Sequence, residues 1–150
     1  MTKRTYKLSA IALVLLLGTA ASAQTAIHVA KTRGCGCCLA WMDRLTKAEF
    51  TPEGQNIGGA LIRLKMDRGI PVQMFSCHTA TVEGYTIEGH VPPADIVRLL
   101  EERPDAIGLA VPGMPLGSPG MDFGDDAGAY DVFIVNSDGT TEVFSSYSGN

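Results

Sequence analysis

An α/β fold is predicted by three observations. A short β-branched run, Ala26-Ile27-His28-Val29-Ala30-Lys31, leads straight into a helical pattern opened by Cys35-Gly36-Cys37-Cys38. Two tight-turn signals, Glu83-Gly84 and Asn136-Ser137-Asp138-Gly139, each lie between β-rich runs and read as hairpins. Between the hairpins, Pro93 introduces a compact apolar helical face made by Ile96, Val97, Leu99 and Leu100.

Along the chain, Ala26–Lys31 reads as the first strand and Thr32-Arg33-Gly34 turns it into the cysteine cluster. From Cys38 the period becomes helical, with Leu39, Met42, Leu45 and Phe50 as the apolar stripe and Asp43, Arg44, Lys47 and Glu49 mostly opposite. Thr51-Pro52-Glu53-Gly54 is expected to end that helix. A second helix is expected over 57–67, where Leu61, Ile62, Leu64 and Met66 surround Arg63 and Lys65. The run 77–82 and then 85–91 form the first hairpin. The Pro-led helix covers 94–103 and stops before Pro104. Residues 108–120, GLAVPGMPLGSPG, read as a Gly/Pro-rich loop, and 130–135 with 140–147 as the second hairpin. Strand, C-x-x-C-opened helix, middle helix, hairpin and helix is the order of a thioredoxin-like domain, here with an added C-terminal β-hairpin.

The first 23 residues read as a targeting segment rather than as part of this fold. Lys3, Arg4 and Lys7 precede the apolar run Ala10–Leu17, and Ala21-Ser22-Ala23 gives a small-x-small cleavage pattern before Gln24. The alternative is an uncleaved membrane anchor, for which the apolar run is short. Removing residues 1–23 of 150 leaves 127, the size of one domain, 24–150. The removed piece carries three of the 12 basic residues and none of the 16 acidic ones, so the remaining chain has a formal charge of −7. Such a balance argues against nucleic acid and anionic membranes as partners and does not repel cations. Export implies an oxidising compartment, the periplasm or the extracellular space, in which thiols tend to pair.

The cysteines carry the chemistry. A thiolate at a helix N-terminus is stabilised by the dipole and by unpaired backbone N–H groups, which makes it a nucleophile or a soft-metal ligand. Cys35 and Cys38 have the spacing for a disulfide or a two-point chelate, Cys37 adds a sulfur between them, and Cys77 is followed by His78. Adjacent Cys37 and Cys38 bridge poorly, so at most one of Cys35–Cys38, Cys35–Cys77, Cys37–Cys77 or Cys38–Cys77 is expected beside free or metal-bound sulfurs. Thiolate with imidazole suits Cu(I), and a thiolate can bridge two ions; zinc is the rival, although CGCC gives a cramped bite for a four-coordinate site. A purely structural disulfide framework is the remaining alternative.

Four motifs in register carry a resemblance: Cys35-Gly36-Cys37-Cys38; Ser76-Cys77-His78-Thr79-Ala80; Glu88-Gly89-His90-Val91-Pro92; and the stretch Gly108 to Met121. Over about residues 26–147 the chain resembles the CopG-type family of small exported, thioredoxin-like, CxCC copper-binding proteins. The resemblance implies copper as the bound metal, a role in copper resistance by copper redox chemistry, and copper ions and periplasmic copper-handling proteins as partners. The stretch 51–74 follows the family only loosely. Comparison with thioredoxins also implies that His78 takes the place of their cis-proline, with Pro71 as the rival.

The candidate metal ligands are therefore Cys35, Cys37, Cys38, Cys77 and His78. His90 either caps the Pro-led helix or reaches the site. Met114 and Met121 are either weak copper ligands or core filling. Met42, Met66 and Met74 are assigned to apolar faces, His28 to the core, and Trp41 to core filling, with packing over the sulfurs as the alternative. A second function class stays open, a thiol–disulfide oxidoreductase with Cys35 attacking and Cys38 resolving. Against it stand the extra thiol of Cys37 and the lack of a clear proline opposite the pair.

Overall fold

A computed structural model describes residues 24–150; the expected targeting segment, 1–23, lies outside the described residues. Three helices and seven strands follow one another as β1 (Ala26–Lys31), α1 (Gly36–Lys47), β2 (Thr51–Asn56), α2 (Ala60–Asp67), β3 (Thr79–Val82), β4 (Tyr85–Glu88), α3 (Pro93–Glu102), β5 (Ala106–Ala110), β6 (Tyr130–Asn136) and β7 (Thr141–Tyr147), with a 3-10 turn at Val72–Met74. They form one mixed sheet in the order β2-β1-β3-β4-β5-β6-β7. β1 pairs parallel with β2 and antiparallel with β3, and β3 pairs antiparallel with β4. This is the expected thioredoxin-like arrangement. β5 adds parallel to β4, and the predicted C-terminal hairpin β6–β7 continues the sheet from there.

Two strands were not expected. Thr51-Pro52-Glu53-Gly54, read as a helix-ending turn, belongs to the edge strand β2, Thr51–Asn56. Its side chains are almost all exposed and it holds its place through backbone pairing with β1, so it has no apolar pattern to read. Pro52 is tolerated because the strand has a partner on one side only. Likewise, Ala106–Ala110 turns the start of the supposed 108–120 loop into a strand, buried at Gly108, Leu109 and Ala110 between β4 and β6.

Helix faces also shift. Cys38, Trp41 and Leu45 form the buried face of α1, whereas Leu39 is 55% exposed, because the indole and the Cys38 sulfur take the core side. Helix α2 is shorter than 57–67 and buries Leu61 and Lys65, leaving Ile62 and Met66 in solvent, the latter 60% exposed. Met66 is thus not on an apolar face, while Met74 is buried and Met42 packs against the core. In α3, Ile96 and Leu99 are fully buried and Val97 is exposed. His28 is not a core histidine: on the edge pair β1–β2 it faces solvent opposite Glu53, with Nδ1 2.9 Å from the carboxylate.

The main core gathers Ile27, Val29, Trp41, Ile87, Ile96 and Leu109 between the sheet and the helices. Burying side chains of this size contributes about 1.5–3 kcal/mol each. That core fixes the N-terminus of α1 against the start of β3, where the sulfurs lie.

Candidate metal centre

Helix α1 starts abruptly. Cys35 is its N-cap, with extended backbone and no capping side-chain bond, and its first turn holds no acidic residue. The free N–H groups there leave a positive dipole end facing the sulfurs. Cys35 and Cys38 are joined as a disulfide, one of the pairings expected; Cys37 and Cys77 are free. Sγ of Cys37 lies 3.5 Å from that of Cys35, and Sγ of Cys77 lies 3.8 Å from that of Cys37 and 3.7 Å from that of Cys38.

Cys77 and His78 precede β3 rather than lying in it. His78, immediately ahead of the strand that pairs with β1, occupies the position opposite the cysteines; Pro71 lies ahead of the 3-10 turn. No cis peptide bond occurs among the described residues. The His78 ring is fully buried, 4.3 Å from the Trp41 ring and 5.0 Å edge-on from that of His90. Trp41 in turn donates its Nε1–H to the Val91 carbonyl at 2.8 Å, so packing by the indole and positioning of the imidazole are one contact.

His90 reaches the site; it is not a helix cap. Its Nδ1–H donates to the Pro119 carbonyl at 2.8 Å, which leaves Nε2 bare 3.0 Å from Cys77 Sγ. His78 Nδ1 lies 3.1 Å from the same sulfur, while His78 Nε2 is buried without any protein partner. Burial holds the protonation of both histidines below its ordinary range, more strongly for His78, where His90 and Lys65 add positive charge; the Pro119 carbonyl partly offsets it at His90. Both rings are therefore neutral at neutral pH, the form that ligates metals. Burial, reinforced by Cys37, pushes the Cys77 thiol up to about 12, opposed by Ser76 and Lys65. A cation arriving at this sulfur has to displace its proton.

Two overlapping groups result: Cys35, Cys37, Cys38 and Cys77, and Cys77, His78 and His90, each with ligand atoms within 4.8 Å of one another. Cys77 belongs to both. Thiolate and neutral imidazole donors with an orphaned buried nitrogen fit a soft or borderline metal ion, once the Cys35–Cys38 disulfide is reduced. The segment 114–121 closes over this site: Ser118 and Gly120 are buried, and a Cβ on Gly120 would fall 2.7 Å from the Cys37 carbonyl oxygen and 2.6 Å from the Trp41 nitrogen. Arg44 and Asp122 form an ion pair across its end. Of the two methionines here, Met121 is half-buried and Met114 is 52% exposed on its surface. Sequence reasoning missed Lys65 and Glu88, a buried ion pair beneath Cys77; the recurrence of Lys65 four residues after Leu61, on one helix face, was the available signal.

The fold and this cluster define a thioredoxin-like protein with a cysteine-rich site capable of holding metal. A family model described as "Protein of unknown function, DUF411" matches residues 74–121. Two solved structures, described as copper resistance protein CopG in Form 1 and Form 2, are each 41% identical to the chain. Their TM-scores are 0.79 and 0.78, covering 85% and 83% of this chain and 100% and 99% of theirs. No curated protein matches. The chain belongs to the CopG family.

Proposed function

We propose that the chain is an exported, periplasmic copper-binding protein that supports copper resistance. The observation that carries this reading is the convergence of four cysteine sulfurs and two neutral histidines, shared through Cys77 Sγ, in a homologue of a copper resistance protein. Cys35, Cys37, Cys38 and Cys77 supply soft donors for Cu(I), and His78 and His90 supply donors suited to either copper state. Met114 and Met121, carried on the 114–121 segment, would serve as weaker, exchangeable donors. Two cysteine thiols together can pass two electrons to two Cu(II) ions, giving two Cu(I), one disulfide and two protons. Cys35 and Cys38, which are joined as a disulfide in the structure, are the pair that would supply those electrons when reduced. Among the described residues no helix is long and apolar enough to cross a membrane.

Metal analysis of anaerobically purified, reduced protein tests the reading. Copper is expected in the wild type and is expected to fall sharply in Cys77→Ser and Cys37→Ser; wild-type protein that takes up no Cu(I) would sink it. Cleavage after Ala23, read from the mass of the exported chain, tests the localisation.

A thiol–disulfide oxidoreductase is the second reading, favoured by the Cys35–Cys38 disulfide at the mouth of α1. It requires reduction of a disulfide substrate that is abolished by Cys35→Ser and trapped as a mixed disulfide by Cys38→Ser.

A further inference from the structure

The chain flanking Cys77 is tied to a charge network that copper binding does not itself use. Lys65 points inward from α2 with 1% of its surface exposed, and Glu88, closing β4, is fully buried. Two buried ions are tolerated when their protons and lone pairs are matched. Lys65 Nζ pairs with Glu88 Oε1 and donates to Thr79 Oγ1 at 2.9 Å, and Thr79 Oγ1 donates to Glu88 Oε2 at 2.7 Å. The ammonium also lies 5.7 Å from the Phe75 ring centroid. One bond leaves this network: the Ser76 backbone N–H donates to Glu88 Oε1 at 2.6 Å. The next residue is Cys77.

A second contact grips the same segment. The Gly89 N–H donates to the His78 carbonyl at 3.0 Å. A Cβ on Gly89, whose φ is +73°, would fall 2.3 Å from Ser76 Oγ and 2.6 Å from the Val111 carbonyl oxygen. Ser76–His78 is thus held on both sides by Glu88-Gly89, and the residue that follows is His90. One turn of chain therefore sets both the Cys77 sulfur and the His90 ring.

We propose that Glu88 is a positioning residue for metal capture: clamped by Lys65 and Thr79, its carboxylate holds the Ser76 amide and so keeps Cys77 Sγ within reach of the helix sulfurs. The inference rests on the copper-binding reading. An ion pair that only filled the core is replaceable by apolar side chains without consequence for the metal. A positioning carboxylate is replaceable only by another acceptor.

Two double variants separate these cases. Lys65→Met/Glu88→Gln removes both charges and keeps an acceptor for the Ser76 amide; Lys65→Met/Glu88→Leu removes the acceptor as well. Cu(I) affinity of the reduced full chain is read by competition with a chromophoric chelator, and the fold by circular dichroism and Trp41 fluorescence. The Gln variant is expected to bind like the wild type, and the Leu variant to bind at least about tenfold more weakly with its fold intact. A folded Leu variant that binds like the wild type, or a folded Gln variant as weak as the Leu variant, overturns the proposal. Amide hydrogen exchange of Ser76 in the wild type decides even if the Leu variant does not fold: protection is expected, and exchange at open-loop rates overturns the clamp. Failure of the wild type to bind Cu(I) at all would instead strike the copper reading, and the Ser76 measurement tells the two apart.

Discussion

Cys35 and Cys37 sit half-exposed at the mouth of α1, whereas His78 and His90 are fully buried behind it. The first half of the site is local: three sulfurs within one helical turn, those of Cys35 and Cys37 partly open to solvent and that of Cys38 buried, all at the N-terminal end of a helix dipole. The second half is assembled from two ends of the β3–β4 hairpin and held by the Trp41 ring, the Pro119 carbonyl and the Glu88 carboxylate. The difference teaches where exchange and where fixity reside. Sulfurs at the mouth can change partners among themselves, while the imidazoles behind them are preset in neutral form and in orientation.

The largest expected effect comes from breaking the link between the halves. Cys77→Ala removes the one sulfur common to both groups, and Cu(I) affinity is expected to fall by at least about a hundredfold with a lower copper stoichiometry. Equal affinity and stoichiometry in a chelator competition would mean the halves act independently. Gly120→Ala attacks the segment that covers them. Its Cβ meets backbone atoms of Cys37 and Trp41 at a φ of +84°, so a loss of about 3 kcal/mol in denaturant unfolding is expected.

Acidification sharpens the contrast next. Because His78 and His90 are held neutral in the folded metal-free chain, the unfolded chain binds more protons as pH falls below 6.5. Stability present above that pH is lost on descending toward the lower folded-state values. The loss is at most about 1.4 kcal/mol per pH unit for each ring. His78→Phe should flatten that slope in unfolding curves taken between pH 7 and pH 5. Smallest is Arg44→Ala, which removes an exposed ion pair with Asp122 and is expected to cost less than about 1 kcal/mol in thermal unfolding.

What could be read along the chain were features carried by neighbours in sequence. The C-x-x-C helix start, both hairpins and the Pro93-led helix are encoded in turn residues and periodicity, and each is in place. Strand β2 escaped because its residues pair by backbone while facing water. Strand β5 escaped because its glycine-bearing run resembles the loop that follows it. His28 misled for the complementary reason: a histidine in an apolar strand reads as buried until the strand proves to lie beside an exposed edge. Helix α2 misled in the other direction: the spacing of Lys65 from Leu61 puts both on one face, but a lysine on a buried face needs a carboxylate partner, and Glu88 lies 23 positions away.

By itself the sequence determined the chemistry available: three sulfurs at one helix start, a fourth beside an imidazole, and the thioredoxin-like order of elements. Only the tertiary structure decided that Cys77 is the shared sulfur, that His90 faces it rather than capping α3, and that Lys65 and Glu88 lie beneath it. Short-range pattern can specify which donors exist. Their mutual distances depend on contacts between residues far apart in the chain, and those are set by packing the β3–β4 hairpin against α1.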